Sequence, residues 1–305
     1  MQENIWDAIS FKGYMKKTLF GQKPATPQEI EQMIQNYCKA SKKCVEKCER
    51  NMERTLRKYS SAPDQQAALN AFFAQIRNSQ AVYENERMEI LREVANNKNA
   101  DCRIVHVPLV GYVLRMDAMG DNCYEYALKD YYETKLMEKA GGVFGGMMTI
   151  ADPLRIRREF PLFLHPGFTN DWPLFKENND EWEKLYRERM FTRNGLDAGI
   201  RCDALKFGLS CERVEYEREW YCPKPGKTLI YCILGEYIDS MYGVAERDYH
   251  FFRYHPDVGL WSHKMGFAAV TCFDLRDELI FDPRLCKTAY NRGVTPVGFY
   301  EIGIP

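Results

Sequence analysis

Residues 249–264 read YHFFRYHPDVGLWSHK. Aromatic residues crowd the first and last parts. Between them His255-Pro256-Asp257-Val258-Gly259 carries the Pro, Asp and Gly that favour a tight turn. The pattern predicts a strand over Tyr249–Tyr254, a turn, and a second strand over Leu260–His263. A hairpin returns on itself, so the start of the first strand lies beside the end of the second. His250 and His263 are thereby expected as cross-strand neighbours on one face.

Upstream, Lys224-Pro225-Gly226 precedes the continuous apolar run TLIYCIL (228–234), the pattern of a strand covered on both faces. Downstream, Phe267–Phe273, Glu278–Phe281 and Val297–Ile302 continue the strand pattern. The C-terminal half therefore reads as an antiparallel sheet. Before it come an extended segment, CRIVHVPLVGYVL (102–114), and a helix over 121–139. A loop-rich insert follows at about 141–225, punctuated by Gly141-Gly142, Gly145-Gly146, Pro161, Pro166 and Pro173. Short helices are expected in it around Asp180–Met190 and Gly195–Phe207.

The first hundred residues have a different texture. After a lead-in, Thr26-Pro27-Gln28-Glu29 forms a capping box with Pro at the first helical position. Ile30, Ile34, Tyr37, Cys44, Cys48, Met52 and Leu56 then recur mostly at steps of three or four, as do Leu69, Phe72, Phe73, Ile76, Tyr83, Ile90, Leu91 and Val94 after a turn at Ser60–Asp64. Two long amphipathic helices should pack as an antiparallel hairpin, closed by Asn96-Asn97-Lys98-Asn99. The expected division is an arm over 1–100 and a second unit over 101–305. The arm either braces the rest of the chain or holds a protein partner.

Lys plus Arg number 42 and Asp plus Glu 43, so the charges cancel and give no electrostatic case for a nucleic-acid or membrane partner. No apolar run approaches the ~20 residues of a membrane span, and the N-terminus lacks the basic-then-apolar order of a signal peptide. The expectation is a cytoplasmic protein, or one exported without a recognisable signal. Eleven cysteines at irregular spacing, with no CxxC, read mostly as reduced buried residues.

One cysteine stands apart. In GDNCYEYAL (120–128), Asn122 followed by Glu125 fits a helix cap, and Asp121 could serve instead; either places Cys123 in the first turn. There the helix dipole favours a thiolate, so a lowered pKa is expected. A thiol nucleophile needs a base, normally His, held by a third polar group. Of the five histidines, His106 sits among Val residues and reads as structural, His165 lies in a loop with no evident partner, and His255 in the hairpin turn should be solvated. His250 and His263 remain, with Asp282, at the end of another apolar run, as a carboxylate that could orient an imidazole. The same Cys-His-His-Asp set could ligate zinc, but its spacing is not that of a zinc site, and no cofactor is called for.

In this order of residues the chain resembles the papain-like cysteine peptidase superfamily, and within it the NlpC-type amidase and endopeptidase branch. The resemblance rests on Asp121-Asn122-Cys123, on Lys224-Pro225-Gly226-Lys227 leading Thr228-Leu229-Ile230-Tyr231, on His250 and on His263, and it covers roughly 102–305. Asp282-Pro283 is similar to the Asp-Pro of transglutaminase-like members. The resemblance implies an α+β papain-like domain, a Cys-bearing helix packed on an antiparallel sheet, behind the α-helical hairpin. It implies Cys123 as nucleophile and His250 as base, with His263 and Asp282 competing to orient it. The implied reaction is acyl transfer from a peptide or amide through a thioester. A transglutaminase-type or deamidating Cys-His-Asp enzyme is the alternative, and an inactive papain-like protein binding a partner through the hairpin is another.

Overall fold

The computed structural model describes residues 26–96, 104–107, 111–114, 122–128, 165–167, 169, 188–218, 221–238, 245–265, 268–290 and 292–305. Most of the insert, with Trp172 and Trp182, lies outside them, as do Gly120 and Asp121.

The arm is built as its sequence dictates. Helix α1 spans Pro27–Lys58 and α2 Pro63–Asn96. Thr26 caps α1 with its side chain accepting from the Glu29 N–H, while the Glu29 carboxylate accepts from the Thr26 N–H at 2.7 Å. The most buried line of α1 runs through Met33, Ser41, Cys48, Met52 and Thr55, with Ile30, Ile34, Tyr37, Cys44 and Leu56 half-buried beside it. Arg77 of α2 grips Glu49 of α1 bidentately at 2.9–3.0 Å.

The chain is α+β. After a small hairpin of β1 (Ile104–Val107) and β2 (Gly111–Leu114), residues 123–128 form the described part of helix α3, and α4 spans Arg193–Lys206. The main sheet comprises β3 (Ser210–Val214), β4 (Lys227–Ile238), β5 (Ala245–His255), β6 (Leu260–Lys264), β7 (Val270–Thr271) and β8 (Arg292–Gly303). It is antiparallel throughout, in the order β3-β8-β4-β5-β6-β7. The predicted hairpin is β5–β6, and Gly259 supplies the left-handed residue that closes its turn, at φ 65°.

Strand alternation sorts the core into layers. Ile230, Cys232, Leu234, Tyr249, Phe251, Val297, Tyr300 and Ile302 face α3 and α4. Beside them Leu260, Val270, Cys272 and Phe273 pack with Cys48, Met52, Leu69, Phe72, Phe73, Ile76 and Tyr83 of the arm. The arm therefore shares one hydrophobic cluster with the sheet. On the opposite face Tyr231, Ile233, Phe252, Tyr254, Trp261 and Phe299 are covered by Tyr216, Ile280 and Tyr290 from loops.

Two expected strands are corrected. Of Phe267–Phe273, whose first residue lies outside the described ones, 268–273 hold only the two residues of β7, and Glu278–Phe281 is a loop bearing a single bridge, Phe273 to Leu279. Around that bridge Ile280 N–H still reaches the Cys272 carbonyl at 3.0 Å, and the Asp274 carboxylate takes the N–H groups of Arg276, Glu278 and Lys287 in the turn that follows Phe273.

Candidate active site

Asn122 caps α3: its side-chain oxygen accepts from the N–H groups of Tyr124 at 2.9 Å and Glu125 at 3.0 Å, and its carbonyl from Tyr126. Those two N–H groups are thereby taken, and the helix start does not offer them to an oxyanion. Cys123 opens the helix and is buried. Tyr124, Ala127 and Leu128 anchor it in the cluster under β4 and β5, while Tyr126 reaches the arm's cluster.

A second anchor comes from α4. Its buried Asp203 accepts from the Tyr124 hydroxyl at 2.9 Å, the Gly167 N–H at 2.6 Å, and the N–H and hydroxyl of Thr169 at 3.1 and 2.6 Å. Burial outweighs these four bonds and lifts the carboxyl to about 6. His165, expected as a plain loop residue, is buried at the start of this loop.

Cys123 Sγ donates to the Tyr249 carbonyl at 3.9 Å. Its pKa runs against expectation: desolvation, then the charge of Asp248, pushes the thiol up to about 12, and the Phe251 N–H, Lys264 and the Tyr124 N–H only partly oppose this. The helix-start position does not make a thiolate here, because the helix start is itself inside the core.

His250 and His263 do meet. His263 stands opposite Phe252 in the ladder, a diagonal neighbour of His250, and His250 Nε2 lies 2.8 Å from His263 Nδ1. His263 Nε2 lies 3.3 Å from the Phe273 carbonyl. Tyr290 stacks on His250 at 5.0 Å and Phe252 on His263 at 5.2 Å. Burial lowers the pKa of His263 to about 4 and that of His250 well below the usual range, so both rings are neutral. His250 Nδ1 is buried with no hydrogen-bond partner among the described residues.

Alternation places both rings on the loop face of the sheet, whereas Tyr249 and Phe251 point to the α3 face. The thiol, at the Tyr249 carbonyl, and the His250 ring thus lie on opposite faces of the sheet, at adjacent residues of β5, and no hydrogen bond joins them. Asp282 is elsewhere: Arg284 holds its carboxylate bidentately at 2.7–3.1 Å. His255 corrects another expectation. It is half-buried, with Nε2 at 2.6 Å from Ser262 Oγ, which lies 2.5 Å from the Tyr126 hydroxyl.

Sequence reasoning missed Asp248, Lys264 and Asp274. Lys264 is 1% exposed, with its ammonium over the Tyr83 ring at 5.4 Å. The one signal for it is alternation, since it follows His263 and must face the helices. Among the described residues no group of three or more His, Cys, Asp or Glu is placed to hold a metal ion. None of the described helices is long and apolar enough to cross a membrane. Comparison with known protein families, curated proteins and solved structures finds no match to the chain.

Proposed function

We propose that the chain is a cysteine-dependent acyl-transfer enzyme of papain-like, NlpC-type organisation, a peptidase or amidase. One observation carries the reading. A buried imidazole nitrogen without a partner costs roughly 1–3 kcal/mol, and among the described residues His250 Nδ1 is such an atom, at the end of a histidine pair and one residue from the carbonyl that Cys123 holds. A base awaiting a proton accounts for that cost.

In the resting state the thiol is protonated and turned to the Tyr249 carbonyl. Attack requires it to swing towards the His250 side of the strand end. His250 Nδ1 takes the thiol proton as Sγ bonds to the carbonyl carbon of an amide, whose π electrons move to oxygen. Collapse breaks the C–N bond, and His250 returns the proton to the leaving amine. Water, deprotonated by His250, then attacks the thioester carbon; the C–S bond breaks, the acid is released, and the Cys123 sulfur takes the proton back from His250. Amine acceptance, as in a transglutaminase, uses the same steps. With Asp282 paired to Arg284, the orienting group of this reading is His263.

The test is a panel of acyl-peptidyl coumarin amides, read by fluorescence and by intact-protein mass for an acyl adduct on Cys123. Release abolished by Cys123→Ala and by His250→Ala is expected. No adduct with any member, or release unchanged in Cys123→Ala, overturns the reading.

A further inference from the structure

The two histidines form a chain whose far end is a backbone carbonyl, and a carbonyl can only accept. His263 Nε2, 3.3 Å from the Phe273 oxygen, therefore carries the hydrogen. A neutral His263 then has a lone pair at Nδ1, so His250 Nε2, 2.8 Å away, must carry the hydrogen of that bond. A neutral His250 is left with its lone pair at Nδ1, the atom that has no partner among the described residues. One main-chain oxygen thus sets both tautomers.

What holds that oxygen is the adjacent residue. Asp274 Oδ1 accepts from the N–H groups of Arg276 at 2.8 Å and Glu278 at 3.2 Å, and Oδ2 from the Arg276 guanidinium at 2.8 Å and the Lys287 N–H at 3.0 Å. Four donors on one carboxylate clasp the turn that starts at Phe273. We propose that Asp274 is a positioning residue for His250: by fixing the Phe273 carbonyl against His263, it locks the tautomer that leaves His250 Nδ1 free to take a proton. Its negative charge also acts on His263, favouring any proton that moves along the pair in that direction. Burial of the Asp274 carboxyl is outweighed by the Lys287 N–H and its other donors, which keep it ionised below the usual carboxylate range.

The tautomers rest on the His pair alone, whereas their use in catalysis rests on the hydrolase reading, and the two are tested separately. Nitrogen-15 histidine NMR at neutral pH, assigned with His250→Gln and His263→Gln, reads each ring nitrogen as protonated or not. The expected spectrum has Nε2 protonated and Nδ1 unprotonated in both rings. Protonated Nδ1 on either ring overturns the proposal whatever the enzyme assay shows. In Asp274→Ala the single His263 tautomer is expected to be lost to an exchanging mixture. Asp274→Asn keeps the Oδ1 half of the clasp and should retain the wild-type tautomer as the major form. Should Asp274→Ala not fold, the exposed clasp partner is weakened instead by Arg276→Ala, which should broaden the His263 signal. An unchanged His263 spectrum in a folded Asp274→Ala, or in Arg276→Ala where that variant replaces it, removes Asp274 from the role.

Discussion

The ionisation of Cys123 gives the sharpest prediction. Its thiol is lifted from 9.0 to about 12, so at any pH below 9 it carries roughly a thousandth of the thiolate of an ordinary cysteine, a cost of about 4 kcal/mol. A more basic thiolate is also a better nucleophile. With a Brønsted slope of about 0.4–0.5 the three units return a factor of roughly 15–30, leaving alkylation roughly 30–60-fold slow from ionisation alone. The perturbation is pH, and the assay is iodoacetamide labelling resolved by peptide mass, with the exposed Cys222 as reference in the same sample. Steric shielding would also slow Cys123, but it would leave the pH profile levelling near 9. A raised pKa instead gives a rate that climbs about tenfold per unit through pH 10. Labelling through global opening is recognised by acceleration in dilute urea, and rates are compared where urea has no effect. A plateau below pH 9, or Cys123 keeping pace with Cys222 at pH 7, would refute the inference that the resting site is a neutral thiol and neutral imidazole.

Two buried groups should move acid stability in opposite directions. His263 falls from 6.5 to about 4, so between those pH values the unfolded chain binds the extra proton and stability drops as pH falls, by roughly 3 kcal/mol in total. Asp203 rises from 3.8 to about 6, so there the folded chain holds the extra proton and stability grows as pH falls, by a similar ~3 kcal/mol. Urea unfolding from pH 7 to 4 should therefore show a shallower acid loss in His263→Gln than in wild type, and a steeper one in Asp203→Asn; the reverse order would contradict both assignments. Gly199→Ala should lose stability despite its better helix propensity, because the new Cβ would meet the Pro166 carbonyl at 2.7 Å and the Gly167 nitrogen at 2.9 Å, both main chain. A thermal midpoint equal to wild type would show that this loop yields. Phe73→Ala, at a fully buried site 6.0 Å from the Phe273 ring, should cost about 3–5 kcal/mol by denaturant unfolding, and a loss under 1 kcal/mol would deny the arm its place in the core.

Local rules made the arm and the hairpin legible. Thr26 and Glu29 cap α1, Gly259 turns β5 into β6, and Asn122 opens α3, because each of these choices is decided within a few residues. The meeting of His250 and His263 was legible for the same reason, since hairpin register follows from the turn. What was not legible depends on burial and on which face a strand presents. A cysteine at a helix start looks activated in sequence, and only packing reveals that desolvation dominates. Asp282 looked available because its partner, Arg284, lies two residues on and engages it through a turn no periodicity marks. Asp274 could have been flagged only as an Asp able to capture N–H groups ahead of it, which is true of many loop aspartates.

The arm acquires a role from where it touches the sheet. Its bonds converge on one segment: Gln80 donates to the Val270 carbonyl at 2.8 Å, Asn51 and Lys47 bind the Asp277 carboxylate at 3.0 and 2.8 Å, and Arg54 binds the Asp277 carbonyl. Asp277 sits at φ 62°, an uncommon conformation that costs about 1 kcal/mol and needs such support. Phe273 lies between these two anchors, with its ring in the arm's cluster and its carbonyl on His263. The clasp of Asp274 fixes the turn from within, and the arm fixes it from outside. A segment of only two strand residues and a loop would otherwise be among the least stable parts of the sheet. Bracing by the hairpin thus holds the segment whose carbonyl faces His263, while α1, the first of its two helices of over thirty residues each, also contacts β2.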